Sequence, residues 1–567
     1  MTLARIAAAG PVVGAQAPAL AGLTDIYLYA GFDGPLLFTV TRAGGWLSAY
    51  DPGLQAGSAT LRDSWYIPEA YLQLETTDLA VTYGQGGPEL LLAGLLSAEL
   101  PSVALSNPPE TGVFQDQGSW QISTENASDF KDITMFDGSS FGLVSLRSGG
   151  LLNMDFSTFG AASAMAVPAS STLVDASVSA IVTGDLGGLS YGAAAYGDQN
   201  AISLFRLTAQ GGIDPISEVF AGPDSAWFSD PAALELVEVD GQAYLVTAAS
   251  GSGSLSVLAI GPDGDVQLVD HVLDNLETRF ADASVLDAFV IDAQTYVVAA
   301  GADRGMRVFT VLPGGRLHHL DTIAGTAEVP LNGITGLETL VTGQSARIWV
   351  STQAAPYLSE FKISFSNPGE RLIAPDQGGI LAGGATDDIL VGAGGNDILS
   401  AGAGNDILID GAGQDSLAGG SGADEFVFTR DATRDIITDF EPGVDRIDMT
   451  GLNLQWDLSE LIVLSRWWGA ELRYADEIIE VHTQSGTPLG VADFLAESFV
   501  SIDRVTYQGI PIEQSQVIYA TSDMLVGTAS EDWLHGREIA DQIWGGAADD
   551  TLWGVAGDDQ LFGGSGN

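Results

Sequence analysis

Aspartate recurs on a nine-residue beat twice in this 567-residue chain: Asp388, Asp397, Asp406, Asp415 and Asp424 form one series, and Asp523, Asp532, Asp541, Asp550 and Asp559 the other. Two positions after each stands Leu, Ile or Phe, and in the first series each follows a glycine-rich loop. One unit, Gly392-Ala-Gly-Gly-Asn-Asp397-Ile-Leu399-Ser400, reads as a tight turn and a very short strand. Glycines supply the positive φ the turn requires, and strand side chains alternate, so Asp397 and Leu399 share one side. Leucine therefore enters a thin core, with aspartate at its mouth.

That placement lets each aspartate meet the carboxylate and turn carbonyls of a stacked neighbour, an all-oxygen cage of the sort a hard cation such as Ca²⁺ requires. Without the cation the stack is expected to fail. Its glycines lose backbone entropy on ordering, each strand buries one aliphatic side chain, and the stacked carboxylates repel one another. Metal binding then supplies the folding free energy. A nonapeptide of this type reads as a calcium-binding parallel β-helix repeat.

Both blocks resemble the repeats-in-toxin (RTX) haemolysin-type calcium-binding family. The stretch from Gly419-Gly-Ser-Gly-Ala-Asp424 through Asp435-Ile-Ile-Thr-Asp-Phe-Glu-Pro-Gly-Val-Asp445-Arg-Ile-Asp448-Met-Thr-Gly451 also resembles the segment that follows the repeats in secreted serralysin-type proteins. The family's β-roll uses two nonapeptides per turn, so the resemblance implies that Asp388 stacks over Asp406 and Asp397 over Asp415. The expected calcium ligands are Asp388, Asp397, Asp406, Asp415, Asp424, Asp523, Asp532, Asp550 and Asp559. Thr386 replaces a loop glycine in the first block, as do Ser530, Ile539 and Ala548 in the second, and 536–544 is the least regular unit, so Asp541 is left out.

The resemblance further implies export through a one-step type I exporter that reads an uncleaved C-terminal signal. In the calcium-poor cytosol the rolls would stay extended, and calcium outside would fold them. The expected location is extracellular or on a bacterial cell surface. Because the register demands an aspartate after Asn567, the natural protein is expected to continue.

A formal charge of −54 with only 20 basic residues argues against nucleic acid or anionic lipid as partners, whose phosphates would be repelled. No cysteine is present, which excludes disulfides, zinc–thiolate sites and thiol catalysis. Residues 1–11 show no sustained apolar run, so no cleavable signal peptide is read. Nor is a membrane span, since the most apolar stretch, Leu90 to Leu96, is far short of the ~20 residues needed.

Residues 20–372 read as short strands separated by Gly, Asp and Pro turns. A unit of strand, tight turn and strand recurs 51 residues apart, around Gly264 and Gly315, with weaker copies at Gly45, Gly87, Gly150, Gly212 and Gly369. Such a period is close to the ~40 to 50 residues of a four-stranded propeller blade. Seven units fit a seven-bladed β-propeller, six or eight also fit, and the rival all-β reading is a pair of sandwiches. The expected fold is therefore all-β, an N-terminal β-propeller followed by two calcium-binding parallel β-rolls separated by a small β-rich insert. The boundaries are an N-terminal arm at 1–20, the propeller at 21–372, the first roll at 373–430, a cap and insert at 431–520 carrying one short helix around 491–497, and the second roll at 521–567.

Chemistry beyond the repeats is sparse. The five histidines, His271, His318, His319, His482 and His535, form no His-Glu-x-x-His pair, which argues against a zinc protease. His318 and His319 point to opposite faces if they lie on a strand. No Gly-x-Ser-x-Gly elbow stands in a strand–turn–helix context. Asp63, Asp230, Asp282, Asp287 and Glu338 are candidates to line a propeller channel and hold a catalytic metal, which keeps a lactonase-, esterase- or phosphatase-like reading open beside that of turn and surface acids. Outward positions of both rolls are apolar: Ile389, Val391, Ile398, Ile407 and Ile409 in the first, Trp533, Trp544, Trp553 and Phe562 in the second. Apolar surface of this extent marks a contact face, intramolecular for the first roll and a surface for self-association or an external partner for the second. The functional expectation is a secreted calcium-binding adhesin, matrix or surface-assembly subunit.

Overall fold

The computed structural model describes residues 4–12; 23–452 apart from 32–33, 42–44, 54, 68–76, 85–86, 96–98, 106–112, 123–128, 159–160, 171, 222–227, 263, 275–280, 303, 327–328, 353–356 and 366–367; 461–494; and 517–519, 524–526, 533–535, 539–545, 551–554 and 557–565. It forms two compact units, Ala4–Phe365 and a C-terminal one beginning at Ser366.

The first unit is a propeller-like ring of four-stranded antiparallel meanders. In the first meander Leu23–Gly31, Gly34–Thr41, Trp46–Asp51 and Thr60–Tyr66 pair in sequence order. Five more open with Asp78–Gly84, Phe130–Met135, Ala180–Leu186, Pro231–Val239 and Val285–Ile291, and the last described one with Ile334–Thr342. These opening strands begin 49 to 55 residues apart. Each packs against the opening strand of the next meander, and Ile334–Thr342 returns to Leu23–Gly31, which closes the ring.

Closure also uses part of the expected N-terminal arm. Ala4–Val12 pairs antiparallel with Leu358–Phe365, Ile6 opposite Ile363, and becomes the outer strand of the last meander. Pairing covers an otherwise open edge. Ala and Gly outnumber the β-branched Ile6 and Val12 in this segment, so its strand character comes from the partner rather than from its own pattern.

The cores lie between neighbouring sheets. Trp120 meets Phe156 edge-on at 5.3 Å between ring centres, and the two belong to adjacent meanders. Between the last meander and the first, buried Arg347 pairs with Glu360 at 2.8 Å and donates to the carbonyls of Pro52 and Gly53, so its charge and donors are satisfied across the seam.

The C-terminal unit is a parallel solenoid. One sheet stacks Pro368–Ile373, Asp387–Val391, Ile407–Ile409, Glu425–Thr429 and Arg446–Gly451; the facing one stacks Ile380–Ala382, Ile398–Ala403, Ser416–Ser421 and Arg434–Phe440. Register advances by 18 residues per coil, as Leu390 opposite Leu408 shows, so two nonapeptides make one turn. Leu390, Leu399, Leu408, Leu417, Phe426, Ile437 and Ile447, all 0% exposed, form a core one side chain wide. Glu477–Thr483 then adds in parallel to Arg434–Phe440 and brings an antiparallel pair, Ile462–Arg466 and Gly469–Tyr474. Instead of the expected helix near 491–497, the described residues there hold a single 3₁₀ turn, Val491–Asp493.

A second, thinner solenoid has Val517–Tyr519, Trp533–His535 and Thr551–Trp553 on one sheet and Met524–Val526, Gln542–Trp544 and Gln560–Phe562 on the other. Leu525, Leu534 and Ile543 fill its core.

Candidate metal centre

The loops of the first roll stack as closely as backbone allows. At Gly420, φ is +101°, and a Cβ there would lie 1.9 Å from the carbonyl oxygen of Gly402 in the coil above. Only glycine satisfies both demands. The loops thereby deliver each aspartate to the same place in every coil, inside the edge of the sheet.

A ladder of hydrogen bonds results. The backbone N–H of Asp388 donates to Asp406 Oδ1 at 2.7 Å, that of Asp397 to Asp415 Oδ1 at 2.7 Å, and that of Asp406 to Asp424 Oδ1 at 2.9 Å. Two rungs continue beyond the nonapeptides: Asp415 N–H to Asp435 Oδ1 at 2.9 Å and Asp424 N–H to Asp445 Oδ1 at 3.1 Å. Their spacings, 20 and 21 residues, break the nine-residue beat, which is why periodicity alone passes over Asp435 and Asp445.

Oδ1 is thus engaged on every rung, whereas Oδ2 of Asp397, Asp406, Asp415 and Asp424 is buried without a hydrogen-bond partner. Burial, and then the neighbouring carboxylates, push Asp406 up to about 7 and Asp424 up to about 6; burial raises Asp415 to about 6 and Asp397 in the same direction. Unpartnered buried oxygens in a row of acids fit a hard cation bound between coils. Asp388 differs. Its Oδ1 accepts from Glu370 N–H and Thr386 Oγ1 and its Oδ2 from Gly384 N–H, so both oxygens are in use, and the threonine that replaces the loop glycine supplies one of the donors.

In the second roll the same rung recurs between Asp541 N–H and Asp559 Oδ1, 2.9 Å apart. Asp541 is buried despite the irregular sequence around it. Asp523, Asp532 and Asp550 lie outside the described residues.

Of the acids proposed for a propeller channel, Asp287 and Glu338 are brought within electrostatic reach of each other, and Asp63, Asp230 and Asp282 lie elsewhere. Asp63 sits on Thr60–Tyr66, the fourth strand of its sheet, and accepts from the N–H groups of Val113 and Phe114 in the next meander. Asp230 and Asp282 occupy left-handed turns, at φ +53° and +51°. Asp287 and Glu338 are on opening strands, and so are Asp25, Asp78, Asp132 and Glu235, which the sequence did not single out. Two of these brace neighbouring meanders: Asp25 Oδ2 accepts from Leu79 N–H at 3.1 Å and Asp78 Oδ2 from Ile133 N–H at 2.6 Å. Desolvation raises Asp25 and Asp287 to about 7, and it also pushes Asp78, Glu235 and Glu338 well above the usual carboxylate range. Among the described residues, no three of them gather at metal-holding distance. His318 is buried and His319 half-buried on Leu317–Ala324, on opposite faces of that strand.

Outward positions divide by sheet. Val391, Ile407 and Ile409 are buried on one sheet of the first roll, whereas Ile398 on the other is 51% exposed. In the second roll Trp544 stacks on Phe562, 4.1 Å between ring centres, yet they remain 43% and 37% exposed; Trp553, on the opposite sheet, is 53% exposed. The side chain of Trp533 lies outside the described residues. No described helix is long and apolar enough to cross a membrane.

Comparison with known proteins agrees with this geometry where it is specific. The family described as RTX calcium-binding nonapeptide repeat (4 copies) matches residues 379–408, 392–426 and 535–567. No curated protein matches the chain. Among solved structures, the β-propeller domain of Cps50 (Swd1) from Myceliophteria thermophila is 11% identical, over 60% of this chain and 96% of that one, with a TM-score of 0.42. A functionally unknown protein from Desulfotomaculum acetoxidans DSM 771 is 14% identical, over 56% and 92%, with a TM-score of 0.38. Strand pairing, rather than these distant likenesses, establishes the ring. The C-terminal region of this chain carries the calcium-binding nonapeptide repeats of the RTX family.

Proposed function

We propose that this is a secreted calcium-binding protein of the extracellular space or cell surface, whose rolls fold on calcium after type I export. Its ring serves as a binding or structural platform, in an adhesin, a matrix or a surface assembly. One observation carries this reading: the buried, unpartnered Oδ2 atoms of Asp397, Asp406, Asp415 and Asp424, stacked coil upon coil. Those residues, with Asp388 at the end of the ladder and Asp523, Asp532, Asp550 and Asp559 of the second roll, would hold Ca²⁺. Bound calcium supplies the positive charge that lets stacked carboxylates coexist.

Proteins with such repeats are generally secreted, and a chain that stays extended at low calcium suits passage through an exporter. Once the rolls are folded, the exposed Trp544, Phe562 and Trp553 offer apolar area for self-association or surface attachment. The test is export itself. In cells that carry a type I exporter, the natural protein should appear in the medium or on the surface, and deletion of the exporter should retain it inside; unchanged appearance without the exporter would refute the reading.

A further inference from the structure

We propose that Asp431, Asp435 and Glu477 form a separate divalent-cation site, of the calcium class, that ties the 461–483 strands to the last coil of the first roll. It lies outside the nonapeptides, and it would stand even if the nonapeptides held nothing. One carboxylate oxygen from each residue lies within 4.8 Å of the others. Asp435 and Glu477 are each only 2% exposed.

Most of the oxygens are accounted for, and the remainder point to a ligand. Glu477 Oε1 accepts from the N–H groups of Asp431 and Ala432, at 2.8 and 2.7 Å, and Asp435 Oδ1 from Asp415 N–H at 2.9 Å. Asp431 accepts from Thr433 through Oδ1 and from Gly413 N–H through Oδ2. Glu477 Oε2 and Asp435 Oδ2 are left with no hydrogen-bond partner among the described residues, and none of the three acids makes an ion pair there. The basic groups nearest in sequence are committed elsewhere, Arg430 to Asp476 and Arg434 to Glu480. Three acids converging, with one oxygen unused on each of two buried side chains, and no histidine or cysteine among the donors, suit a hard cation.

Strand register shows that this is not one more nonapeptide rung. Asp435 lies opposite Ile479, so no acid occupies the position below it where a repeat would place one. Glu477, two residues earlier, takes up that role with a side chain one methylene longer than aspartate. Because Glu477 opens the strand Glu477–Thr483, a cation here joins the 461–483 strands to the loop that carries Asp431. The added strands would then dock only on a completed, calcium-loaded roll.

The test counts calcium bound per full-length chain by native mass spectrometry, for wild type and for Glu477→Gln. Glutamine keeps the oxygen that accepts from Asp431 and Ala432 and removes the charge. The expected result is one calcium fewer, with amide exchange in 461–483 faster and exchange in 387–426 unchanged; an equal count overturns the proposal. Should the variant not fold, density for the calcium-loaded wild-type chain decides. A cation against Asp435 and Glu477 supports the site, and its absence overturns it whatever the nonapeptide loops hold.

Discussion

The backbone N–H of Asp397 donates to Oδ1 of Asp415 across 2.7 Å, eighteen residues along the chain, while Oδ2 of the same Asp415 is buried with no partner. One oxygen thus holds the coils together and the other is left for a cation. Asp415→Asn preserves the first role and removes the charge behind the second. It is expected to raise the calcium midpoint for folding of the first roll about tenfold, or ~1.4 kcal/mol. Calcium titration followed by circular dichroism measures it, and an unchanged midpoint would count against a ligand role.

Protons should compete with calcium for the ladder. Asp406 is raised to about 7 and Asp415 and Asp424 to about 6, chiefly by burial. Below those values the carboxyls are protonated and calcium has to displace the proton, so affinity should rise with pH and change most between about pH 6 and about pH 7. Titrations across that interval that gave one constant midpoint would contradict this.

The ring should respond with the opposite sign. Asp25 and Asp287 have folded-state values near 7, above their values in an unfolded chain, because burial disfavours their charged forms. Their contribution is fully present below the unfolded carboxylate range and is lost as pH rises through about 7. In chelator, the 4–365 unit should melt a few degrees higher near pH 5 than near pH 8, at about 2–4 °C per kcal/mol. A scan in which the ring melts higher at the alkaline pH would refute the assignment.

Gly420→Ala places a Cβ against the Gly402 carbonyl from a φ of +101°. The left-handed conformation alone costs ~1–2 kcal/mol, and the contact adds to it. Folding of the first roll should then require several-fold more calcium, whereas Gly343→Ala, whose Cβ would meet nothing within 4 Å in the ring, should leave the rolls untouched.

Trp544→Ser removes half of the stacked pair on the outer face of the second roll. Calcium uptake should persist while any self-association falls, as read by light scattering with and without calcium. Assembly equal to that of wild type would remove this face from consideration.

The repeats were legible in sequence because their geometry is local: each coil needs glycines, one leucine and one aspartate at fixed offsets, and the 18-residue register follows. Where the offset changes, as at Asp435 and Asp445, the ladder continues but the pattern does not show it. The ring was legible as a period and illegible as an alignment. Gly212, Gly264 and Gly315 do mark the same turn, between third and fourth strands, whereas Gly45 and Gly150 lie between second and third, Gly87 between first and second, and Gly369 in the C-terminal unit. Turn glycines report only that φ is positive, not which turn they serve. Ala4–Val12 was missed as a strand because its partner lies over 340 residues away. The inner acids Asp25 and Asp78 escaped notice because only the packing of neighbouring meanders brings Leu79 and Ile133 to them.

Amide hydrogen exchange of the full chain, in calcium and in excess chelator, tests the central claim most directly. Residues 387–451 and the strands of 517–562 should be protected with calcium and exchange as an unfolded chain without it, while the opening strands of the ring stay protected in both. Equal protection of 387–451 in chelator would contradict the account.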